Sequence, residues 1–210
     1  VRMLVEKGAD IDKAMNDGAT PLIVASANGH VDVVRVLAER GADINKARDT
    51  GSTPLFIAAQ EVHVKVVRVL IERGVDINQA DNNDGTSLFM ASQEGHVQVV
   101  RALLDRGADI NKAMNDGVTP LFIASQKDHV EVVRVLIERG ADINKARDDG
   151  ATPLLIASEY GHVDVVRILA ERGSDINKAD NYGYTPLFTA SENGHVEVAR
   201  ALIDRGADIN

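Results

Sequence analysis

Apolar and polar positions follow one another along this chain in a fixed order that returns every 33 residues. In Val31–Arg40 (VDVVRVLAER) the polar residues Asp32, Arg35 and Glu39 stand at i, i+3 and i+7, and the positions between them are Val, Leu or Ala. One narrow polar stripe on an apolar cylinder predicts a helix with neighbours on both sides. Acids near its start suit the helix dipole, as Arg40 does at its end. The same stretch begins again at Val64, Val97, Val130, Val163 and Val196. A shorter apolar segment precedes each. In TPLIVASAN, Thr20 is placed as an N-cap and Pro21 as the first helical residue. The two turns that follow are marginal alone.

Leu22, Leu55, Leu88, Leu121, Leu154 and Leu187 mark this first helix. Gly41, Gly74, Gly107, Gly140, Gly173 and Gly206 end the second, and Gly8 extends the period backwards. The pattern therefore predicts one all-α solenoid over residues 1–210. It has a partial unit at 1–14 and units near 15–47, 48–80, 81–113, 114–146, 147–179 and 180–210. Ala25 and its five equivalents never vary, and the next residue is always Ser or Ala, which lets neighbouring first helices approach closely. No single unit buries both faces of a helix pair; a stack does. A longer period of 99 residues lies above the first: the loop words run AMND, ARDT, ADNN, then AMND, ARDD, ADNY, as after duplication of a three-unit block.

Thr-Pro-Leu, Gly-His, the Val/Leu helix and Gly-Ala-Asp-Ile-Asn, in that order and in 33-residue register, closely resemble the ankyrin repeat over the whole chain. The resemblance implies helix pairs stacked side by side. β-hairpin-like loops would project at right angles to them, and loop tips and first helices would line a concave face. Several positions depart from the family pattern. Ile23, Phe56, Phe89, Phe122, Leu155 and Phe188 stand where the family has His, so apolar packing replaces its hydrogen bonds. Ser87 replaces Pro, and Asp84 takes the usual glycine place with Gly85 one position late. Val62 and Asp128 stand where other units have the glycine that ends the first helix. A β-branched residue tolerates the left-handed conformation poorly, so the Ala59–His63 turn is expected to be rebuilt.

Composition narrows the function classes. A formal charge of −9 disfavours nucleic acid and anionic membrane surfaces, which a basic face would bind. No cysteine is present, so there is no disulfide, thiol nucleophile or thiolate metal site. The N-terminal VRMLVEKGAD lacks a signal-peptide layout, and no apolar run is long enough to span a membrane. An intracellular setting, cytoplasmic or nuclear, is the expectation.

All six histidines occupy the same place in the unit. Stacked helices lie roughly 8–10 Å apart, whereas ligands of one zinc must come within about 2.1 Å of it. Equivalent histidines therefore share no metal, and no unit sets a carboxylate and a hydroxyl beside its His as a catalytic triad requires. The expected role of the imidazole is to tie the inter-helix turn to neighbouring backbone. Asp81–Gly85 lacks the ligand spacing of a calcium loop and reads as a turn. No cofactor, metal or catalytic residue is expected. Arg35 with Glu39, and Arg134 with Glu138, read as i, i+4 pairs on a solvated helix face.

Binding is then sought where the repeat varies. All three tyrosines, Tyr160, Tyr182 and Tyr184, fall at loop tips or first-helix ends of the last two units. By the resemblance they are neighbours on or near the concave face, and tyrosine is enriched in binding hot spots. Acidic residues surround them, among them Asp148, Asp149, Glu159 and Glu192. The leading expectation is a non-catalytic protein–protein interaction scaffold that takes a basic or polar peptide segment on this face. The alternatives are a spacer array with no dedicated ligand, which near-identity of the units favours, or a fragment of a larger protein whose activity lies elsewhere. Neither end carries a visible polar cap, so end-to-end self-stacking is a further expectation.

Overall fold

The computed structural model describes residues 10–209. Twelve helices occupy them, in pairs: α1 (Pro21–Ala27) and α2 (Val31–Glu39), α3 (Pro54–Gln60) and α4 (Val64–Glu72), α5 (Ser87–Gln93) and α6 (Val97–Leu104), α7 (Pro120–Gln126) and α8 (Val130–Glu138), α9 (Pro153–Glu159) and α10 (Val163–Glu171), α11 (Pro186–Glu192) and α12 (Val196–Asp204). No strand occurs among the described residues. The chain divides into two compact units, residues up to Ala91 with 98–109, and 92–97 with 110 onward. In the first, α1 packs on α2 and α3, and α4 on α2 and α3. In the second, α9 lies between α7 and α11, and α10 packs against α9, α8 and α12.

Each first helix starts as its sequence dictates. The Thr20 hydroxyl accepts from the Ile23 amide at 3.3 Å, and Thr53, Thr119, Thr152 and Thr185 do the same for the residue three ahead. Thr86 caps α5 likewise, with Ser87 in the proline position. The cap hydroxyls of Thr20, Thr53, Thr86, Thr119 and Thr152 are buried, so the bond also satisfies the side chain. Leu22, Leu55, Leu70, Leu103, Leu136 and Leu169 are completely enclosed, and Ala58, Ala91, Ala124, Ala157 and Ala190 leave no exposed surface. Phe56, Phe89 and Phe122 are buried too, as are Ile23 and Leu155, so apolar packing does fill the family's histidine position there. Phe188 is the exception, 49% exposed.

The loops are hairpin-like without forming a ladder. The Arg147 amide donates to Ala151 O at 2.9 Å and the Gly150 amide to Arg147 O at 2.9 Å, closing one tight turn. Successive loops are joined by single backbone bonds, from Asp49 N to Asp17 O at 3.0 Å in the first unit and from Asn181 N to Asp149 O at 2.9 Å in the second. A Cβ on Gly150 would lie 2.9 Å from the Asn181 nitrogen, so side-chain bulk there would break that approach. A second tie comes from the Asp-Ile-Asn words. Asn45 Oδ1 accepts the Asp76 amide at 2.8 Å, Asn78 that of Asp109 at 2.8 Å, Asn111 that of Asp142 at 2.9 Å and Asn144 that of Asp175 at 3.0 Å.

The histidines are a third tie. His63 Nε2 lies 3.0 Å from Ala27 O, His129 2.8 Å from Gln93 O, His162 2.9 Å from Gln126 O and His195 2.9 Å from Glu159 O. A carbonyl only accepts, so Nε2 carries the proton and donates. Each ring binds the end of the preceding first helix, the structural role expected from sequence. The ring also packs on the turn glycine: a Cβ at Gly95 would sit 2.7 Å from His129 Nδ1.

Two expectations are corrected. Val62 has φ 57°, alongside Gly29 at 66°, and the turn is not rebuilt. His63 N still donates to Ala58 O at 2.9 Å and Val64 N to Val62 O at 2.9 Å, matching His30 N to Ala25 O and Val31 N to Gly29 O. These bonds, with His63 anchored on Ala27, outweigh the local strain. Asp128 (φ 60°) and Asp84 (φ 62°) adopt the same region. The second correction concerns ion pairs. Arg134 meets Glu131 at 3.5 Å and Arg167 meets Asp164 at 3.7 Å, each acid three residues before its arginine. Glu39 pairs instead with Arg73 of the next second helix at 2.7 Å, as Glu171 does with Arg205. Acid before base is the better order on a helix, and Arg35 before Glu39 reverses it.

Val62→Gly is expected to raise stability by about 1 kcal/mol, the strain of a left-handed β-branched residue less the extra chain entropy of glycine. The urea midpoint reads this directly; a lowered midpoint would show that Val62 contributes packing its 51% exposure does not suggest. His129→Ala should cost about 1 kcal/mol, the net worth of one lost hydrogen bond.

Candidate partner-binding face

The seven residues singled out from the sequence all lie in the second compact unit. They do not form one patch. The bond from Asn181 N to Asp149 O sets the loops before α9 and α11 side by side, and His195 joins the C-terminal end of α9 to the turn after α11. The two first helices therefore run parallel. Tyr160 caps the C-terminal end of α9, with Glu159 beside it and Glu192 at the corresponding end of α11. Tyr182 and Tyr184 sit at the other end, in the loop before α11, beside Asp148 and Asp149. A seven-residue helix spans about 10 Å, and that length separates the two groups.

At the helix end, Tyr160 is 51% exposed and stacks on His162, ring centroids 6.0 Å apart and planes inclined by 21°. His162 Nδ1 lies 3.9 Å from Asp128 Oδ2, so the aspartate that replaces a turn glycine faces the ring edge. At the loop end, the Tyr182 and Tyr184 rings are 6.5 Å apart, and Tyr184 is 5.0 Å from Phe188. Phe188 was not among the residues picked from sequence, because its equivalents Phe56, Phe89 and Phe122 are core. The signal that finds it is Tyr184, a large ring at a loop position otherwise held by Ala, Ser, Gly or Val.

The acidic tips are partly committed to the fold. Asp17 Oδ1 accepts the Ala19 amide at 3.0 Å, Asp116 Oδ1 that of Val118 at 3.1 Å and Asp149 Oδ1 that of Ala151 at 3.1 Å. These side chains shape their own turns. Asp81 accepts the amides of Asn83 and Gly85 in the same way, the turn role read from its sequence. Asp149 is bound further: Arg147 Nε donates to its Oδ1 at 3.0 Å and Arg147 Nη2 to its Oδ2. The guanidinium lies 5.1 Å over the centroid of Phe122. The hydrogen bond from Arg147 holds the Asp149 carboxyl below the usual range, against a smaller opposing effect of burial, and Asp149 in turn raises Arg147. Asp148 and Glu159 are exposed.

No group of three or more His, Asp or Glu side chains among the described residues is arranged to hold a metal ion. Cavities are shallow; one of about 150 Å³ lies between the second helices of the first compact unit, lined by Arg68, Glu72, Asp105 and Arg106. No helix among the described residues is long and apolar enough to cross a membrane.

Family comparison covers the whole length: residues 1–81, 42–114, 75–147 and 140–210 each match the family described as ankyrin repeats (3 copies). No curated protein matches the chain.

Because its carboxyl is lowered by an ion pair, Asp149 contributes stability at neutral pH that disappears as pH falls through its depressed pKa. Asp149→Asn keeps an acceptor for Ala151 N and removes the charge. We expect a lower melting temperature for this variant at pH 7 and curves that converge with the parent in strong acid. Parallel curves at all pH values would show that the pair with Arg147 carries no net stability.

Proposed function

Since this chain belongs to the ankyrin-repeat family, typically a protein-interaction module and usually non-catalytic, we propose that it is a non-enzymatic scaffold that binds a protein partner. The contact surface would be the loop tips and first-helix ends of the last two repeats. One observation carries this reading. On a framework whose core positions hardly vary, the three tyrosines are exposed by 51%, 76% and 40% for Tyr160, Tyr182 and Tyr184. Exposed tyrosine offers large contact area at low entropic cost.

The two groups described above make the contact bidentate in form, with Tyr160, Glu159 and Glu192 at one end and Tyr182, Tyr184, Asp148 and Asp149 at the other. A segment lying along α9 and α11 reaches both. The net charge of −9 and the exposed Asp148, Glu159 and Glu192 favour a basic or polar peptide. Arg147 already neutralises Asp149, so Asp148 is the stronger electrostatic contact at the loop end. An intracellular setting fits a chain without cysteine.

A spacer role is the second reading, favoured by near-identity of the repeats over the 99-residue period.

Alanine at Tyr160, Tyr182 or Tyr184 should weaken capture of a bound partner by about tenfold each, the cost of truncating a hot-spot aromatic, and Asp148→Ala should act mainly on the association rate. Affinity unchanged in all four variants would place the contact elsewhere and favour the spacer.

A further inference from the structure

Arg48 and Arg147 hold the same place in the 99-residue period, in loops that read RDTGS and RDDGA. The two turns close alike. The Arg48 amide donates to Ser52 O at 3.1 Å and the Gly51 amide to Arg48 O at 2.8 Å, as in the loop of Arg147. They differ at the third residue. Asp149 has two tasks: it accepts the Ala151 amide at 3.1 Å and holds the Arg147 guanidinium through Nε and Nη2. Thr50 retains only the first, accepting the Ser52 amide at 3.5 Å, and its hydroxyl is otherwise bonded to Ser52 Oγ at 2.9 Å. The turn survives the exchange and the ion pair does not.

Arg48 is half-buried, and its Nε is enclosed without a hydrogen-bond partner among the described residues. A buried donor left unpaired is costly, and most such groups find an acceptor. The wider surroundings differ in the same direction. Asp149, Asp116 and Glu159 all act to raise Arg147. Their equivalents around Arg48 are Thr50, Asp17 and Gln60, so two of the three negative charges are gone. The remaining one, Asp17, is committed to the Ala19 amide at 3.0 Å. Phe122, whose ring lies beneath the Arg147 guanidinium, is replaced by Ile23, which offers no π face. The second repeat thus has the arginine of the fifth without the groups that engage it there.

We propose that Arg48 receives one carboxylate of a partner protein, an Asp or Glu side chain that takes the place Asp149 holds in the fifth repeat. Thr50 is exposed, so the approach is open. A change of Arg48 rotamer presents Nε and Nη2 together, the fork that matches a carboxylate with two parallel hydrogen bonds. A net charge of −9 repels a polyanion, so the ligand is a single acid in an otherwise neutral segment. Arg48 belongs to the first compact unit and the three tyrosines to the second. The site therefore goes beyond the tyrosine-face reading and does not depend on it.

The test uses the full isotope-labelled chain and follows the Nε–H signal of Arg48 by NMR, identified by its loss in Arg48→Lys. The probes are end-blocked Gly-Ser peptides with one central Glu, Gln or phosphoserine, and a Gln peptide with a free C-terminal carboxylate. The Glu peptide should shift the signal at millimolar concentration, and the blocked Gln peptide should bind at least about tenfold more weakly, as loss of a charge-assisted pair implies. Thr50→Asp rewrites the loop as in the fifth repeat. It should move the Arg48 signal without peptide and abolish Glu binding, whereas Thr50→Asn should leave binding intact. Both changes fall at an exposed loop position, so the fold is not at stake. Equal binding of Glu and Gln, Glu binding indifferent to Thr50→Asp, or no shift with the Glu peptide overturns the proposal. Binding of the free C-terminus in preference to Glu overturns the side-chain assignment, and phosphoserine bound more than about tenfold tighter than Glu overturns the carboxylate in favour of a phosphate. Partner capture that fails only in the tyrosine variants bears on the second unit alone, because the two sets of variants share no residue.

Discussion

Burial between neighbours is the constraint from which the rest of this structure follows. The second helices are apolar around most of their circumference, and the first helices are two turns long. Neither is stable as a free element. Leu154 and Leu169 are fully enclosed only because a helix pair lies on each side of theirs. Ala124 and Ala157, both without exposed surface, keep α7 and α9 close enough for that enclosure. A methyl side chain here matters as much as the leucines, since any larger group would separate the helices and reopen the core.

Apolar burial alone does not fix register, and three polar ties do. Within each compact unit, a histidine Nε2 binds the end of the preceding first helix, an Asp-Ile-Asn asparagine receives an amide of the following repeat, and a loop carbonyl accepts one amide from the next loop. These groups satisfy backbone positions at helix ends and turns that would otherwise be unpaired. They also give the repeated histidine a structural role, its donor being spent on a carbonyl. The strength of this frame shows at Val62, which is held at φ 57° although its side chain disfavours that conformation. The energetic cost is local, and the neighbouring bonds impose the turn regardless.

Function is confined to what the frame leaves free. Most loop carboxylates are engaged with amides of their own turns, and Asp149 is further held by Arg147 over Phe122. The variable aromatic side chains are therefore the more informative surface. They separate into a helix-end group around Tyr160 and a loop-end group around Tyr182, Tyr184 and Phe188. Each group combines rings that supply area with carboxylates that bias the sign of the partner.

Pattern and period along the chain were enough to specify the helix pairs, their caps, the glycine stops, the core leucines and the structural role of histidine. All of these depend on contacts within one repeat or between identical neighbours, and a strict period transmits such contacts directly. It also pointed to the tyrosines, because they break the period. Tertiary structure alone decided three things. It set Val62 left-handed, since long-range bonds overrode a local preference. It turned Glu39 toward Arg73 of the next repeat rather than Arg35, because helix spacing brings the longer-range partner nearer. And it divided the tyrosines between opposite ends of α9 and α11 while exposing Phe188, since the face a side chain meets depends on which neighbour covers it, a relation that no position in a linear repeat records.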